Sequence, residues 1–526
     1  MDVLKKASWV HVLAGLIVLK LLLHLCLNGM WSFHRDELLY LALGRHLDWG
    51  FASVPPAIGF WGWLAGSVLG GSVEVVRLIA TLFGTATVVL TALIAKEMLP
   101  KDSTQSSGKF AVGIVGLAGL TTSAFLRPAM LFMPVVFDIF YWTLLCFLFL
   151  KYLNTEKSSW LLWFGLAVGL GLLNKYTILI FLFAMLPGLV LTKQRRIFTN
   201  TQFYLAAGLA LLVVAPNIAW QAAHKFPVFR HMSELASSQL QHVSLGDFLS
   251  DQLRMHLAAL PLWLSGLYFL LFRKEAAAWR TFGWMYLMVL AVLIFFSGKS
   301  YYSLGAYPVL IGAGAAWLEQ LTAQRRKWLR VALPVTMIVL GAITLPVALP
   351  FLQPEAEARL MEKLSKSAVF KGVLRWEDGK YYALPQDFSD MLGWEELAEI
   401  TGKVWQNIPN KSAAAIYAEN YGQAGAIVHF GKKYAVPEVL SFSDNYRYWL
   451  PDSLPANFQT LIYVNDELGD DMPGFFATIE KVGELNMPLS RQNGDQVYLC
   501  QGPTAAFFER INTAVARARS EEEIDR

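Results

Sequence analysis

The chain has 526 residues, of which 55% are hydrophobic and only 16% are charged, and its mean hydropathy is +0.42. Soluble domains carry about 25% charged residues, so this composition excludes an ordinary soluble protein and indicates a membrane protein. The formal net charge of +4 is small and comes largely from short basic loops, so it gives no support for nucleic-acid binding. Cys26, Cys146 and Cys500 have no paired spacing, which predicts neither a disulfide framework nor a zinc site.

Apolar runs of roughly membrane-spanning length follow one another through the first two thirds of the chain. They lie at about 9–28, 74–95, 110–126, 135–150, 160–174, 176–192, 202–219, 257–272, 281–297, 304–320 and 331–350. The first run is long enough to span and no small-residue cleavage site follows it, so we do not expect a cleaved signal peptide. The pattern predicts about eleven transmembrane helices.

Basic residues in the breaks between these runs predict the orientation of the chain. They lie at Lys5 and Lys6, Lys96, Lys101 and Lys109, Lys151 and Lys157, Lys193 to Arg196, Arg273 to Arg280 and Arg325 to Arg330. With eleven spans, all of these clusters fall on one side, which the positive-inside rule identifies as the cytoplasm. The N-terminus is then cytoplasmic. The opposite side receives the first outward loop (Phe33–Ser72), the turns at 126–134 and 174–176, the loop Gln221–His256, the segment 298–302 and the C-terminal part.

The first outward loop opens with the acidic pair Asp36-Glu37, followed by a helical pattern that stops before Pro55 and Pro56. If the pair lies in the first helical turn, the macrodipole favours its ionised form, and an ionised carboxylate at the membrane edge suits a general base. The alternative is that Asp36 only caps a juxtamembrane helix. Five aromatic residues farther along the loop predict that part of it lies in the plane of the bilayer: Trp49, Phe51, Phe60, Trp61 and Trp63.

Other ionisable residues at the membrane edge are candidates because placing them there is costly. Asp138 opens the fourth span, and its role is either helix N-terminal stabilisation or a second carboxylate for the pocket of Asp36. Arg127, Lys175 and Lys299 lie at outward turns, where each either snorkels to head groups or binds a phosphate at the bilayer surface. Tyr301, Tyr302 and Tyr307 are either interface anchors or contacts for a sugar or phosphate. His231, His242 and His256 lack ligand-like spacing, and no nucleotide-binding or serine-hydrolase motif with a matching context occurs.

Residues 351–526 have an ordinary soluble composition, which predicts a domain boundary near Pro350–Pro354. Helical patterns cover 354–370 and 389–406, and short strand-like runs cover 413–417, 426–430, 460–464 and 496–500. The fold class expected is a polytopic helical membrane domain, 1–350, followed by a small extracytoplasmic α/β domain, 351–526.

Taken in order, the motifs resemble one family. They are HRDELLYLALGRHLDWG with SVPP in the first outward loop, FDIFYWTLL, GLGLLNKYT, APNIAWQAAHKFPVFRH, GKSYYSLGAYP and NYGQAGAIVHFGKKYAVPEVLSFSDNYRYW. The set resembles the bacterial membrane glycosyltransferases related to dolichyl-phosphate-mannose–protein mannosyltransferases and to the lipid A aminoarabinose transferase, which share the GT-C fold. Many relatives have Asp-His before the two prolines, where this chain has Ser53-Val54, so the motifs leave the type of acceptor open.

The resemblance implies transfer of a sugar from a polyprenyl-phosphate donor to an acceptor at the outer face of the membrane. Asp36 matches the catalytic base, and Asp138 matches an acidic residue lining the same cavity. Lys299, Tyr301 and Tyr302 match a segment near the donor phosphate. We assign Glu37 to the catalytic loop, where it orients the loop or binds the acceptor, and Arg127 and Lys175 to the phosphate. His34, Pro55 and Pro56, from the first-loop motifs, complete the set of expected substrate contacts.

These expectations define an inverting transfer with Asp36 as general base and polyprenyl phosphate as leaving group. No nucleotide cofactor is needed, because the donor is already activated. The sequence leaves open the sugar, a divalent metal, and whether the acceptor is a protein, a glycan or a membrane lipid. The alternative class is a transporter or flippase of a lipid-linked sugar, which predicts internal repeats and charges at mid-membrane depth. No convincing repeat is visible.

Overall fold

The structure is a computed structural model that describes residues 8–100, 108–367, 370 and 372–520. Lys5, Lys6 and Lys101, which enter the orientation argument, lie outside these residues. The first part of the chain is helical from Trp9 to Ala348. Its helices are α1 (Trp9–Leu27), α2 (Arg35–Arg45), α3 (Ala57–Trp63), α4 (Val73–Glu97), α5 (Lys109–Thr121), α6 (Ser123–Leu126), α7 (Pro134–Thr155), α8 (Ser159–Asn174), α9 (Ile178–Val190), α10 (Thr201–Ala223), α11 (Pro227–Ser238), α12 (Leu245–Arg254), α13 (Leu260–Phe272), α14 (Arg280–Phe295), α15 (Tyr307–Gln324) and α16 (Leu329–Ala348).

The apolar runs of the sequence all coincide with helices, which confirms the predicted class of polytopic helical membrane protein. Six helices are long and apolar enough to cross a membrane by themselves, and up to eight spans result if each of two bent helix pairs is one span. Shorter apolar helices lie at 57–68, 109–121 and 159–174. The count of eleven spans remains a prediction.

The segments between apolar helices that carry the basic residues meet at one end of the helix bundle. The Lys151 ammonium lies 2.7 Å from the Glu97 carboxylate, and the Trp279 indole donates to the Asn154 amide oxygen at 2.8 Å. Helix α7 runs from this end to the cavity described below, over 22 residues, which corresponds to a length of about 33 Å. The basic end and the cavity are therefore separated by about the thickness of a bilayer core, as the predicted orientation requires.

Two glycines allow α13 and α15 to cross in direct backbone contact. A Cβ atom on Gly266 would lie 1.9 Å from the carbonyl oxygen of Leu310, and one on Gly314 would lie 1.9 Å from that of Leu262. Helices in lipid have no hydrophobic driving force for association, so the close packing that small residues allow stabilises such a crossing.

The C-terminal part combines helices with a four-stranded sheet. Its helices are α17 (Pro354–Ser365), α18 (Gln386–Ser389), α19 (Trp394–Gln406), α20 (Tyr421–Phe430), α21 (Met472–Phe475) and α22 (Ala505–Ser520). Its strands are β1 (Ala414–Ala418), β2 (Thr460–Asn465), β3 (Phe476–Glu484) and β4 (Gln496–Pro503), in the order β1-β2-β4-β3. Strands β1 and β2 are parallel, and β4 is antiparallel to both β2 and β3.

One prediction for this part is wrong, and one strand was missed. The strand expected at 426–430 belongs to helix α20, which begins with a capping box between Asn420 and Gln423. A short apolar run does not distinguish a buried helix from a strand, and the cap decides the outcome here. Strand β3 was not predicted, because it is largely exposed and carries Glu480 and Lys481, which obscures the apolar alternation.

A shared hydrophobic core joins the C-terminal part to the first outward loop. Leu38, Leu41 and Phe51 of the loop lie in one buried cluster with Trp394 and Ile427. Phe51 is fully buried, so its expected position at the bilayer interface is wrong, whereas Trp49 is 57% exposed. The packing holds the loop and the C-terminal domain in a fixed relation to each other.

Candidate functional site

One large cavity opens where the outward loops meet the C-terminal domain. Its volume is about 2770 Å³. Its lining combines the first outward loop, the turns near 127–135 and 174–177, the loop from 217 to 255, the segment 299–304 and much of the C-terminal domain. The outward segments that the sequence singled out therefore meet at one site.

Asp36 lies in the first turn of α2 and lines this cavity, as the helical pattern predicted. The helix is capped by His34, whose Nδ1 accepts from the backbone N–H of Asp36 at 3.1 Å. Because another residue caps the helix, the Asp36 carboxylate is available for other contacts. Its Oδ1 accepts a hydrogen bond of 2.7 Å from the Tyr421 hydroxyl, which comes from the start of α20 in the C-terminal domain.

Charged side chains surround the Asp36–Tyr421 contact. The Arg35 guanidinium lies over the Tyr421 ring at 4.5 Å, and His34 Nε2 lies 3.6 Å from the buried Asp390 carboxylate. Burial and the neighbouring Asp36 raise the pKa of Tyr421 well above its ordinary value, so its hydroxyl stays a donor at physiological pH. Burial also raises the pKa of Asp390, although His34, Arg491 and Arg35 oppose that rise.

Glu37 does not line the cavity, which corrects its expected place among the catalytic residues. Its side chain is fully buried and pairs with the Arg77 guanidinium at 2.9 Å. Its carboxylate also accepts from the backbone N–H groups of His34 and Phe132, at 2.8 and 2.9 Å. Arg77 donates in addition to three backbone carbonyls that precede α2, those of Asn28, Trp31 and Ser32. These contacts tie Glu37 to the start of the loop and agree with the loop-orienting role, one of the two considered for it.

Asp138 also lies outside the lining residues, so the expectation that it lines the cavity is corrected. Its side chain is 4% exposed, and its Oδ1 accepts from the Thr177 hydroxyl at 2.7 Å. The turn between α8 and α9, which carries Lys175 and Thr177, lies between Asp138 and the cavity. Asp138 contacts this turn through Thr177, and its charge opposes the lowering of the Lys175 pKa by burial.

Lys175, Tyr301 and Tyr302 line the cavity together. The Lys175 ammonium lies 5.2 Å from the Tyr301 ring centroid and 5.0 Å from that of Tyr302. Burial lowers the pKa of Lys175, Asp138 opposes this change and Lys299 adds to it. The cluster is an aromatic wall with a cation on its surface.

Lys299 and Arg127 also line the cavity, but carboxylates of the C-terminal domain hold both of them. The Lys299 ammonium lies 2.5 Å from Glu377 and also donates to Gln239. The Arg127 guanidinium lies 2.6 Å from Asp387. Burial raises the pKa of Asp387, but Arg127, His34 and Lys299 together hold it below its ordinary value. Both cations therefore already have a carboxylate partner in the cavity wall.

The two prolines of the first outward loop have different positions. Pro55 lines the cavity and so does His34, whereas Pro56 is absent from the lining and precedes α3 as its N-cap. The expected substrate contact of Pro56 is therefore not supported by its position.

Within the described ranges, the His, Cys, Asp and Glu side chains form no group of three that could hold a metal ion.

Sequence reasoning missed residues that the fold brings to Asp36. Tyr421 comes from the C-terminal domain, Tyr40 from the inner face of α2, and Asp444 from the start of a short helical segment, and all three line the cavity. Tyr421 and Asp444 lie within the motif NYGQAGAIVHFGKKYAVPEVLSFSDNYRYW. The motif was the available signal, but nothing in it indicated which residues face the first outward loop.

Comparisons with known proteins agree with this architecture. Residues 53–220 match the family model described as dolichyl-phosphate-mannose-protein mannosyltransferase. The chain is 25% identical over 207 residues to the lipid A galacturonosyltransferase RgtD of Rhizobium johnstonii, a match that covers 39% of this chain and 42% of RgtD.

A crystal structure of ArnT from Cupriavidus metallidurans bound to undecaprenyl phosphate has a similar fold. It superimposes with a TM-score of 0.58 and 15% identity, covering 93% of this chain and 98% of ArnT. Together these findings confirm the resemblance that the motifs predicted: the chain has the fold of ArnT and resembles the GT-C-fold membrane glycosyltransferases.

Proposed function

We propose that this protein is a membrane glycosyltransferase that moves a sugar from a polyprenyl-phosphate donor to an acceptor hydroxyl at the outer face of the bacterial cytoplasmic membrane. The observation that carries the proposal is a single cavity lined by a hydrogen-bonded carboxylate, Asp36, and by the Lys175–Tyr301–Tyr302 cluster. The likeness to ArnT and RgtD supports the same class of reaction. The basic residues of the interhelical breaks support a cytoplasmic N-terminus and an extracytoplasmic C-terminal domain.

The proposed step is a single inverting displacement at the anomeric carbon of the donor. Asp36 takes the proton of the acceptor hydroxyl, and the acceptor oxygen forms the new bond to the anomeric carbon. The bond between that carbon and the phosphate oxygen breaks, and its electron pair leaves with polyprenyl phosphate. The products are the glycosylated acceptor, polyprenyl phosphate and a proton held on Asp36, which passes to solvent before the next turnover.

Cations of the cavity stabilise the leaving phosphate, because charge that develops there meets fixed donors in a partly desolvated site. Lys175 is the first candidate, since its ammonium faces the cavity across two tyrosine rings. Lys299 and Arg127 join it when the donor phosphate replaces Glu377 and Asp387 as their partner. Asp138 and Glu37 are positioning residues, acting through the Lys175 turn and through α2. The mechanism requires no nucleotide.

The test is transfer of radiolabelled sugar from native polyprenyl-phosphate-sugar extracts by the full-length protein in nanodiscs. Asp36→Asn should lower transfer by about 10²–10⁴-fold, the usual contribution of a general base. Asp48→Asn is the matched control, because Asp48 lies in the same loop but is exposed and outside the lining. The anomeric configuration of the product, read by NMR, tests inversion.

The outcomes separate the alternatives. Equal transfer by the wild type and Asp36→Asn removes Asp36 from the mechanism and keeps the class of enzyme. Absence of transfer by the wild type, together with movement of the labelled lipid between vesicle leaflets, replaces the proposal by a flippase.

A further inference from the structure

The part of the cavity next to Asp36, called the pocket below, contains a tyrosine whose hydroxyl has no protein partner among the described residues. Tyr40 lies one helical turn after Asp36 on α2 and lines the cavity, although its side chain is only 7% exposed. Across the described part of the chain, its hydroxyl has no hydrogen-bond partner. This hydroxyl is not enclosed by protein but opens to the cavity, where it is free to bond to a bound molecule. The position of Tyr40 therefore suits contact with a ligand rather than packing in the core.

Asp444 of the C-terminal domain faces the same pocket. Asp444 lines the same cavity as Asp36, Tyr40 and Tyr421. The backbone of Asp444 has φ +49°, a conformation that is uncommon for residues other than glycine, and its Oδ1 accepts from the N–H of Asn445 at 2.7 Å. A carboxylate accepts up to about four hydrogen bonds, so capacity for a ligand is left.

Contacts with the first outward loop fix Asp444 relative to Asp36. The side chain of Asn445 accepts from the backbone N–H of Ala52 at 3.0 Å. At the other end of the same short helical segment, Trp449 stacks on His46 with ring centroids 4.1 Å apart. The pocket is thus closed by two parts of the chain that are held together at both ends of this segment.

We propose that Tyr40, Tyr421 and Asp444 form the acceptor subsite and that it binds an uncharged, hydroxyl-bearing sugar unit next to Asp36. The Tyr40 phenol donates, and the Tyr421 oxygen and two carboxylates accept, which matches the mixed donor and acceptor character of sugar hydroxyls. An anionic acceptor group would lie between two carboxylates and is disfavoured. The C-terminal domain therefore recognises the acceptor in addition to bracing the loop.

This inference rests on the proposed function and extends the same step. Tyr421 keeps its bond to Asp36 Oδ1, so the acceptor hydroxyl donates its proton to Oδ2 and attacks the anomeric carbon. A neighbouring hydroxyl of the acceptor sugar bonds to Asp444, and the Tyr40 hydroxyl donates to a ring or hydroxyl oxygen. Loss of Asp444 should then weaken acceptor binding while donor binding is kept.

The experiment measures transfer from labelled polyprenyl-phosphate sugar to a total cell-envelope extract, with the full-length protein in nanodiscs. Asp444→Gly removes the carboxylate and suits a positive φ, and Asp444→Asn keeps the shape without the charge. Asp444→Gly should raise the apparent KM for the extract about 10-fold or more, as expected for a lost charged hydrogen bond, and Tyr40→Phe about 3- to 10-fold. Binding of undecaprenyl phosphate should stay within about twofold of the wild type.

Matched controls separate this inference from the proposed function. Glu480→Gln alters an exposed acid of the same domain outside the cavity and should leave the KM unchanged. Periodate, which cleaves neighbouring diols, should abolish the acceptor capacity of the extract, whereas protease digestion should not.

Wild-type activity with a KM for Asp444→Gly equal to that of Glu480→Gln overturns the subsite. Full acceptor capacity after periodate overturns the sugar class. No transfer by the wild type refutes the proposed function itself.

Discussion

Neutralising Glu37 by Glu37→Gln should strongly destabilise the protein without changing any residue that lines the cavity. Glu37 and Arg77 are both fully buried, so removing one charge leaves the other uncompensated in a low-dielectric interior. Breaking a buried pair in this way costs about 3–5 kcal/mol. The isosteric amide keeps the size of the side chain, so the cost reflects charge rather than a cavity.

The magnitude follows from how many groups depend on the pair. Arg77 also satisfies the carbonyls of Asn28, Trp31 and Ser32, at 2.7, 3.0 and 2.7 Å. Arg77→Met therefore leaves these three carbonyls without a donor and the Glu37 charge without a partner. Each unsatisfied buried carbonyl costs about 1–3 kcal/mol. We expect Arg77→Met to be at least as destabilising as Glu37→Gln.

The assay is reversible SDS denaturation in mixed micelles, followed by far-UV circular dichroism, which reports the free energy of unfolding. The control is Glu362→Gln, which removes an ion pair with Lys366 whose side chains are 73% and 71% exposed. Such a pair contributes below about 0.5 kcal/mol. If Glu37→Gln and Glu362→Gln lower stability equally, water reaches the Glu37–Arg77 pair and the reasoning from burial is wrong.

Three further predictions concern other parts of the chain. Burial raises the pKa of Asp495 from 3.8 to about 7, so the native state binds this proton more tightly than the unfolded chain. Stability should therefore fall as the pH rises from about 4 to about 7, by up to about 4 kcal/mol, and Asp495→Asn should remove that dependence in SDS titrations. Glu377→Gln should free Lys299 and tighten binding of undecaprenyl phosphate about 3- to 10-fold in a direct binding assay. Gly314→Ala should prevent stable packing of α13 against α15, whereas Gly208→Ala, with no atom near the added Cβ, should leave the denaturation midpoint unchanged.

Each of these three predictions can be contradicted by one result. A pH-independent wild type, unchanged lipid affinity in Glu377→Gln, or equal midpoints for the two glycine variants would contradict the respective contact. Lys299→Gln provides the control for the lipid measurement, because it should weaken binding rather than strengthen it.

Local patterns in the sequence were enough to predict most of the membrane architecture. Apolar runs of spanning length become helices because a backbone in lipid must satisfy its hydrogen bonds within the segment. The helix that carries Asp36 was predicted for a similar reason, since its apolar period and first-turn carboxylates are contained in a few residues. The alternation of spans predicted that the outward turns share one side of the membrane, and the structure brings them together at one cavity.

The tertiary structure alone decided the roles of individual side chains. The adjacent residues Asp36 and Glu37 have different partners. Asp36 bonds to Tyr421, which lies 385 positions away, and Glu37 bonds to Arg77, which lies 40 positions away. Asp138 lies behind the cavity wall because a turn near Thr177 covers it. No local period encodes such partners, because they depend on how distant segments pack. The sequence therefore determined which segments lie at the cavity end of the helix bundle, and the packing of the C-terminal domain on the first outward loop determined which of their side chains line the cavity.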